Sequence, residues 1–308
     1  MSRELVYTFH ADSGRAVSLR AFLKRHRYPK SALKRLVYGP DQVFLDGEAA
    51  KLTTILKDGQ SILVRVAEEE GSDVVSPVEV PLKILYEDED ILVIDKPPFL
   101  PIHSSPKHYD QTLANAVAWH DRQNGREKTM FHCLNRLDRD TSGVTLVARN
   151  SLCAAILGEA VKKREVKREY LAIVEGITEE RGVITAPIGR TEGSVITRQV
   201  DFEKGESAET FYERLEVRRA ASNSFYSLLR IRLGTGRTHQ IRVHMKYIGH
   251  PLPGDYLYHP VYDRIDRQPL HSASLQFYHP ITQELMLWQA PMPEDMRRMW
   301  EGLEPGGM

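Results

Sequence analysis

Short runs of strand-forming residues set the strongest limit on what this chain can fold into. Ile91-Leu92-Val93-Ile94 is a continuous apolar run closed by Lys96-Pro97-Pro98, the pattern of a strand buried on both faces. Residues 144–148, 170–174, 210–215, 225–233 and 284–287 repeat the strand signature, whereas helical spacing is confined to about 112–120 and 151–163 in this part of the chain. Strands outnumber helices, and both hairpin-length and longer connections join them. The expected fold class is α+β, built around an extended mixed β-sheet.

A smaller unit precedes it. Between Ser13 and Pro40 lie Arg15, Arg20, Lys24, Arg25, Arg27, Lys30, Lys34 and Arg35, with no acidic residue among them. Leu19, Phe22 and Leu23, then Leu33, Leu36 and Val37, recur at spacings of three and four, which predicts two short amphipathic helices. Strand-like Val43-Phe44-Leu45, a turn at Asp46-Gly47 and a strand at 62–66 follow. The acidic, small and polar stretch from Glu68 to Pro77 has no apolar period and reads as linker. The expected organisation is a basic α+β domain over 1–67, a linker over 68–79 and the large domain over 80–300.

Length and composition exclude little. The 308 residues suit one large domain with a small one, and 42 Lys+Arg balance 42 Asp+Glu. Cys133 and Cys153 are too few for a disulfide framework or a four-cysteine zinc site. The N-terminus has no apolar signal core, and no run of about 18 apolar residues occurs. The expected location is therefore cytoplasmic, and a monomer is expected because no association motif stands out.

Three segments carry candidate chemistry. Asn135-Arg136-Leu137-Asp138-Arg139-Asp140-Thr141-Ser142-Gly143 is a dense polar loop running straight into an apolar strand. Taken alone, a loop carboxylate is more often a solvated turn residue than a catalyst. Gly234-Thr235-Gly236-Arg237-Thr238-His239-Gln240-Ile241-Arg242 allows a tight turn, with Thr238 as the expected N-cap of a helix running to Ile248. His239, Arg242 and Lys246 fall at i, i+3 and i+7 on an expected polar stripe, and the helix start beside Arg237 suits an anion. His239 and His244, five apart, do not share a helix face, so no metal set is expected there. Tyr170 heads a strand in the third segment, Arg168-Glu169-Tyr170.

Together these segments resemble the RluA-type family of pseudouridine synthases. Arg136 to Gly143 matches the family's His-Arg-Leu-Asp-x-x-Thr-Ser-Gly loop, and Gly236 to Arg242 its Gly-Arg-Thr-His-Gln-Ile-Arg stretch. Gly249-His250-Pro251, Gly254-Asp255, Leu85 to Pro97, Leu270-His271 and His279-Pro280 follow the family's order over roughly residues 80 to 290. Asn135 stands where the family has His, a change expected to affect loop packing or RNA choice. The N-terminal unit resembles, more distantly, an S4-like RNA-binding domain.

The resemblance implies an RNA pseudouridine synthase, an isomerase acting on structured ribosomal or transfer RNA. Neither a metal nor a nucleotide cofactor is expected. Asp138 is the implied nucleophile or cation-stabilising carboxylate, as carboxylates are in glycoside hydrolysis. Arg237 is expected to pair with it, Tyr170 to face the uracil, and Arg136 to fill the space of the flipped base. His239, Arg242 and Lys246 are expected on the RNA backbone, with Arg20, Lys24, Lys34 and Arg35 of the basic helices contributing. Two other readings stay open: a glycoside hydrolase using Asp138 and Asp140, and a catalytically impaired RNA-binding or ribosome-assembly factor of the same fold.

Overall fold

The structure, a computed structural model, describes residues 3–11, 16–67, 75–104, 110–126 and 128–306. Residues 68–74, most of the expected linker, lie outside these. The N-terminal unit comprises β1 (Arg3–Thr8), α1 (Leu19–Arg25), α2 (Lys30–Tyr38), β2 (Gln42–Leu45), β3 (Glu48–Ala49) and β4 (Ser61–Val66). Its antiparallel sheet has the order β1-β4-β2-β3. The Ser18 hydroxyl accepts from the Ala21 N–H and starts α1, while Lys24 and Arg25 sit at its C-terminal end, where cations are favoured. Leu19, Phe22 and Leu23 of α1 and Ala32 and Leu33 of α2 pack on the inward residues of β4, Ile62, Val64 and Val66. The unit opens on a strand, not a helix as the periodicity suggests.

The large body contains β5 (Lys83–Glu87), β6 (Ile91–Lys96), α3 (Leu113–Gln123), β7 (His132–Cys133), β8 (Ser142–Ala148), α4 (Ser151–Lys162), β9 (Lys167–Glu175) and β10 (Arg181–Thr185). It continues with β11 (Ile188–Arg190), β12 (Arg198–Val200), β13 (Glu209–Arg219), β14 (Phe225–Leu233), α5 (Gln240–Tyr247), β15 (Leu270–Tyr278), β16 (Leu285–Gln289), α6 (Glu294–Glu301) and β17 (Glu304–Pro305). The main sheet runs β10-β13-β14-β9-β15-β8-β6-β5, with β16 on β15, β17 on β13 and β7 on β8; β11 and β12 form a separate hairpin. Among the described residues only the β15–β8 pair is parallel, which makes the sheet mixed.

The two-residue period of a strand explains how helices cover both faces. Ile91 and Val93 of β6, with Val144 and Leu146 of β8, face Cys153 and Leu157 of α4. Their neighbours Leu92, Ile94 and Val147 face Leu113 and Val117 of α3. In the other half, Tyr170, Ala172 and Val174 of β9 meet Ile241 and Met245 of α5. Ile173, between them, turns to Met296, Met299 and Trp300 of α6. The N-terminal unit shares its core with Leu152 and Ile156 of α4, and is tied down by Arg3–Asp90 (2.9 Å) and Arg27–Glu165 (2.7 Å).

β8 and β15 run unusually close. At Gly143 φ is +111°, and a Cβ there would lie 2.2 Å from the Ser272 carbonyl oxygen. Only glycine permits that approach. It fixes where the loop before β8 begins and where its side chains project.

Candidate active site

The loop between β7 and β8 is braced at every second residue. Asn135, buried, donates through Nδ2 to the Val144 carbonyl (2.8 Å) and accepts from the Leu146 N–H (2.7 Å). Leu137 packs in the cluster of Tyr170, Ile241 and Met245. The alternate residues, Arg136 and Asp138, therefore face outward. The backbone turns back where the Thr141 N–H donates to the Asp138 carbonyl (3.1 Å). Buried Lys96 donates through Nζ to the carbonyls of Pro97 (2.9 Å), Leu100 (2.9 Å) and Arg139 (3.0 Å). Burial and nearby Arg267 push its pKa down to about 7, while three carbonyl acceptors call for the three N–H bonds of the ammonium form.

Asp138 sits at the floor of an open cleft of about 2590 Å³. That is larger than the roughly 300–1,000 Å³ typical of small-ligand pockets, and suits a polymer. The chain's zero net charge hides a basic wall. Arg136, Arg164, Lys167, Arg168, Arg230, Arg232 and Arg237 line the cleft, while its acidic lining is Asp138, Glu169, Glu209 and Glu213. Tyr170 lines the same cleft. Burial raises its phenol pKa, Arg168 opposes that rise and Asp138 adds to it, so the hydroxyl is neutral at neutral pH.

Arg242 holds the carboxylate. Its Nη1 donates to Asp138 Oδ2 (2.8 Å), while Nε and Nη2 each donate to Asp255 at 2.7 Å. The Asp138 side chain is 25% exposed; those of Arg242 and Asp255 are 1% exposed. Burial works against the guanidinium charge, but Asp255 and Asp138 together hold its pKa above the ordinary value. Asp255 is fixed in turn by the N–H groups of Leu257 (3.1 Å) and Tyr258 (3.2 Å). His239 Nε2 lies 3.9 Å from Asp138 Oδ1, and its Nδ1 bonds the Tyr258 hydroxyl (2.9 Å). Burial lowers the His239 pKa despite Asp138, so the ring is neutral at neutral pH.

Several expectations need correction. Arg237 does not pair with Asp138: it is exposed, forms an ion pair with Glu206 and donates to the Ser207 carbonyl (3.1 Å). Arg242 is not a free cation on the surface: its side chain is 1% exposed, and Nε, Nη1 and Nη2 each donate to a carboxylate, Asp138 or Asp255. Thr238 does not cap α5. The helix starts at Gln240 behind His239, whose φ is +58°, and Gln240 organises the turn. It accepts from the Arg237 N–H (3.0 Å) and Thr235 hydroxyl (2.8 Å), and donates to the Glu209 carbonyl (2.8 Å). The expected stripe of His239, Arg242 and Lys246 is therefore broken. Lys246 is exposed with its ammonium over the Tyr258 ring, outside the residues that line the cleft. On the N-terminal unit Arg20, Lys24 and Lys34 are exposed, whereas half-buried Arg35 grips buried Asp41 (2.9 and 3.0 Å). Arg136 is exposed beside Asp138, with no ion-pair partner among the described residues.

The competing chemistries find no geometry here. Asp140 is buried and held by Arg139 (2.6 and 2.9 Å), so it does not face Asp138 as a hydrolytic partner. Both His244 nitrogens are engaged, by the Thr210 hydroxyl (2.9 Å) and the Ala186 carbonyl (2.8 Å). Among the described residues, one cluster has metal-type ligand atoms in reach, Asp88, Asp90 and His279. There Asp88 accepts from Tyr86, His279 and two backbone N–H groups, and Asp90 from Arg3 and Asn150.

A basic, polymer-sized cleft around one anchored carboxylate is the arrangement of an enzyme that acts on a polyanion. Residues 90–247 match the RNA pseudouridylate synthase family, and the chain belongs to that family; it is an isomerase that forms pseudouridine in RNA. YjbO of Bacillus subtilis, described as an uncharacterized RNA pseudouridine synthase, is 40% identical over 274 residues, covering 89% of this chain and 94% of the relative. The ribosomal large subunit pseudouridine synthase D of Nitrosomonas europaea is 36% identical over 274 residues, 85% and 76% of the two chains. The solved structure of human RNA pseudouridylate synthase domain containing 1 aligns with a TM-score of 0.60 at 30% identity, covering 77% of this chain and 91% of that one.

Proposed function

We propose that Asp138 is the reacting carboxylate of a uridine-to-pseudouridine isomerisation in structured RNA, either large-subunit ribosomal RNA or transfer RNA. The observation that carries this reading is Arg242, which is forked onto Asp255 and holds Asp138 Oδ2 through its remaining arm, beside a basic cleft. In the reaction the bond from C1′ to N1 breaks and the uracil turns within the site. A bond from C1′ to C5 then forms, the C5 proton leaves to base or solvent, and N1, freed from the sugar, takes up one proton. Atoms and electrons balance without a cofactor. Asp138 meets the electron-poor centre that develops when the glycosidic bond opens. Tyr170 faces the uracil, and its phenol, neutral in the free enzyme, takes the C5 proton only after losing its own, a loss that burial opposes and Arg168 favours.

Arg136 is well placed to fill the gap left by the extruded base, being long, planar, exposed and next but one to Asp138. Arg237, rather than Arg242, is the candidate phosphate contact of the turn, joined by His239 at the cleft and Lys246 outside it. On the N-terminal unit, read as S4-like, Arg20, Lys24 and Lys34 supply the footprint. The name of the Nitrosomonas relative favours large-subunit ribosomal RNA among the two substrates. On this reading the enzyme acts in the cytoplasm as a monomer; among the described residues no helix is long and apolar enough to cross a membrane.

Unmodified ribosomal and transfer RNA transcripts carrying tritium at uridine C5 test the proposal. Tritium release by wild type and none by Asp138→Asn is expected. Release by both rejects Asp138, and release by neither, with RNA still bound, favours the non-catalytic alternative.

A further inference from the structure

The family match ends at residue 247, yet the catalytic loop is held from beyond it. Arg267 has a side chain 0% exposed. Its Nη1 donates to the Asp140 carbonyl (2.9 Å), two residues past Asp138, and to the carbonyls of Gln268 (3.1 Å) and Leu270 (3.3 Å). Nη2 reaches the Ser142 hydroxyl (3.4 Å), which also bonds His271 Nδ1 (2.9 Å). Nε and Nη2 grip Asp295 in a fork at 2.6 and 3.0 Å. Asp295 stands in the first turn of α6, and its Oδ1 also accepts the Met296 N–H (2.8 Å). Burial raises the Asp295 pKa less than Arg267 and that N–H lower it, so the carboxylate is ionised at neutral pH.

A buried guanidinium is a costly way to fill space, because its charge must be desolvated and every N–H paired. Core packing alone would be served by an apolar side chain. This one joins three segments: Asp295 of α6, the carbonyls of its own stretch at Gln268 and Leu270, and the loop after Asp138 at the Asp140 carbonyl and the Ser142 hydroxyl. The Asp138 side chain is held by Arg242, with His239 3.9 Å away, and its main chain by the Thr141 turn and the Lys96 bond to the Arg139 carbonyl, so its position also depends on what holds the residues after it.

We propose that Arg267 and Asp295 form a positioning pair: the C-terminal helix α6, through Asp295, fixes Arg267, and Arg267 fixes the loop at the Asp140 carbonyl and the Ser142 hydroxyl so that Asp138 meets the uridine at the productive distance. The inference rests on Asp138 being the reacting carboxylate. It makes α6 part of the catalytic apparatus although none of its residues lines the cleft. A displacement of about 1 Å at a reacting group costs on the order of 100-fold in rate. Loss of the pair should therefore lower kcat and leave the RNA-binding surface as it was.

The experiment compares Asp295→Asn, Asp295→Glu, Arg267→Lys and Asp138→Asn with wild type in single-turnover tritium release, with RNA affinity measured in parallel. Asp295→Asn keeps Arg267 in place but removes its counter-charge at the partly exposed end, and so is the variant expected to fold. The expected result is a fall of at least about tenfold in kcat for Asp295→Asn and Arg267→Lys, RNA affinity unchanged within about twofold, and partial rescue by Asp295→Glu. Folded Asp295→Asn and Arg267→Lys proteins with a lower Tm but wild-type kcat would overturn the proposal, since that is what a purely structural pair would give. An equal loss of affinity and kcat would overturn it as well. If Asp138→Asn itself turns over, the reading beneath the proposal fails, and this is seen separately.

Discussion

Replacing Arg242 by Met should separate catalysis from RNA binding more cleanly than any other single change. The substitution leaves Asp255, 1% exposed, with only backbone N–H partners, and leaves Asp138 without a guide. Removing one side of a buried ion pair costs roughly 3–5 kcal/mol. For a chain of 308 residues that corresponds to a fall in Tm of roughly 5–8 °C. The rate should fall further than stability explains, because a carboxylate displaced by about 1 Å loses on the order of 100-fold in kcat. Arg242→Lys should lie between, since an ammonium keeps the charge but cannot fork onto Asp255 and reach Asp138 together. The double variant Arg242→Met with Asp255→Asn tests the logic: it removes the orphaned charge, so thermal stability should largely return while single-turnover tritium release should not. RNA affinity should hold within about twofold throughout, because a side chain this buried neutralises no phosphate. A weaker Kd together with a shallower salt dependence would show that Arg242 contacts RNA after all, and activity restored in the double variant would reduce its role to folding.

Four further outcomes are expected. Tyr170→Phe keeps the ring in its cluster and removes the hydroxyl; tritium release should fall by about 100-fold with RNA affinity retained, and turnover within twofold of wild type would rule out the hydroxyl as base. Gly143→Ala places a methyl 2.2 Å from the Ser272 carbonyl oxygen at φ +111°, so soluble yield and Tm should both drop sharply, and a stable, active protein would refute the close approach of β8 and β15. His244 and His271 are held neutral by burial, with pKa values below the unfolded value of about 6.5, so the unfolded chain binds more protons as pH falls below that point. Denaturant melts should accordingly show stability falling from pH 7 to 5.5, less steeply for His271→Gln, and an unchanged slope in that variant would exclude this histidine. Asn135→His should retain activity, whereas Asn135→Leu, which strands two buried backbone groups at about 1–3 kcal/mol each, should not fold stably.

The strands were legible because burial on both faces leaves an unbroken apolar run or a strict alternation. Ile91 to Ile94 divides its side chains between two cores, one under α4 and one under α3, and the sequence has to be apolar at every position to do so. β1 was not legible, since Arg3–Thr8 buries Leu5 alone while its neighbours reach solvent or Asp90. α6 has a local signature of its own: Pro293 and the acidic Glu294 and Asp295 open it, and Met296, Met299 and Trp300 repeat at i, i+3 and i+4. Its catalytic bearing, through Arg267, could not be seen from local pattern, because that pairing joins residues 28 apart on different elements.

The exchange of roles between Arg237 and Arg242 shows where periodicity misleads. A helix with a solvent face shows polar residues on one stripe, and Arg242 fits such a stripe with His239 and Lys246. But α5 lies between the sheet and the cleft floor, and Gln240 to Met245 are all buried. In that setting a charged residue marks a partner rather than water. Two carboxylates supply it, one 104 residues before Arg242 and the other 13 after. Asn135 follows the same logic in the opposite direction. Its departure from the family's histidine invites a reading of lost activity, yet its amide offers β8 one donor and one acceptor, the same pair that a neutral imidazole presents. The substitution therefore preserves what the loop requires of that position, and the reactive geometry we propose rests instead on Asp138, Arg242 and Asp255, whose charges no neutral pair reproduces.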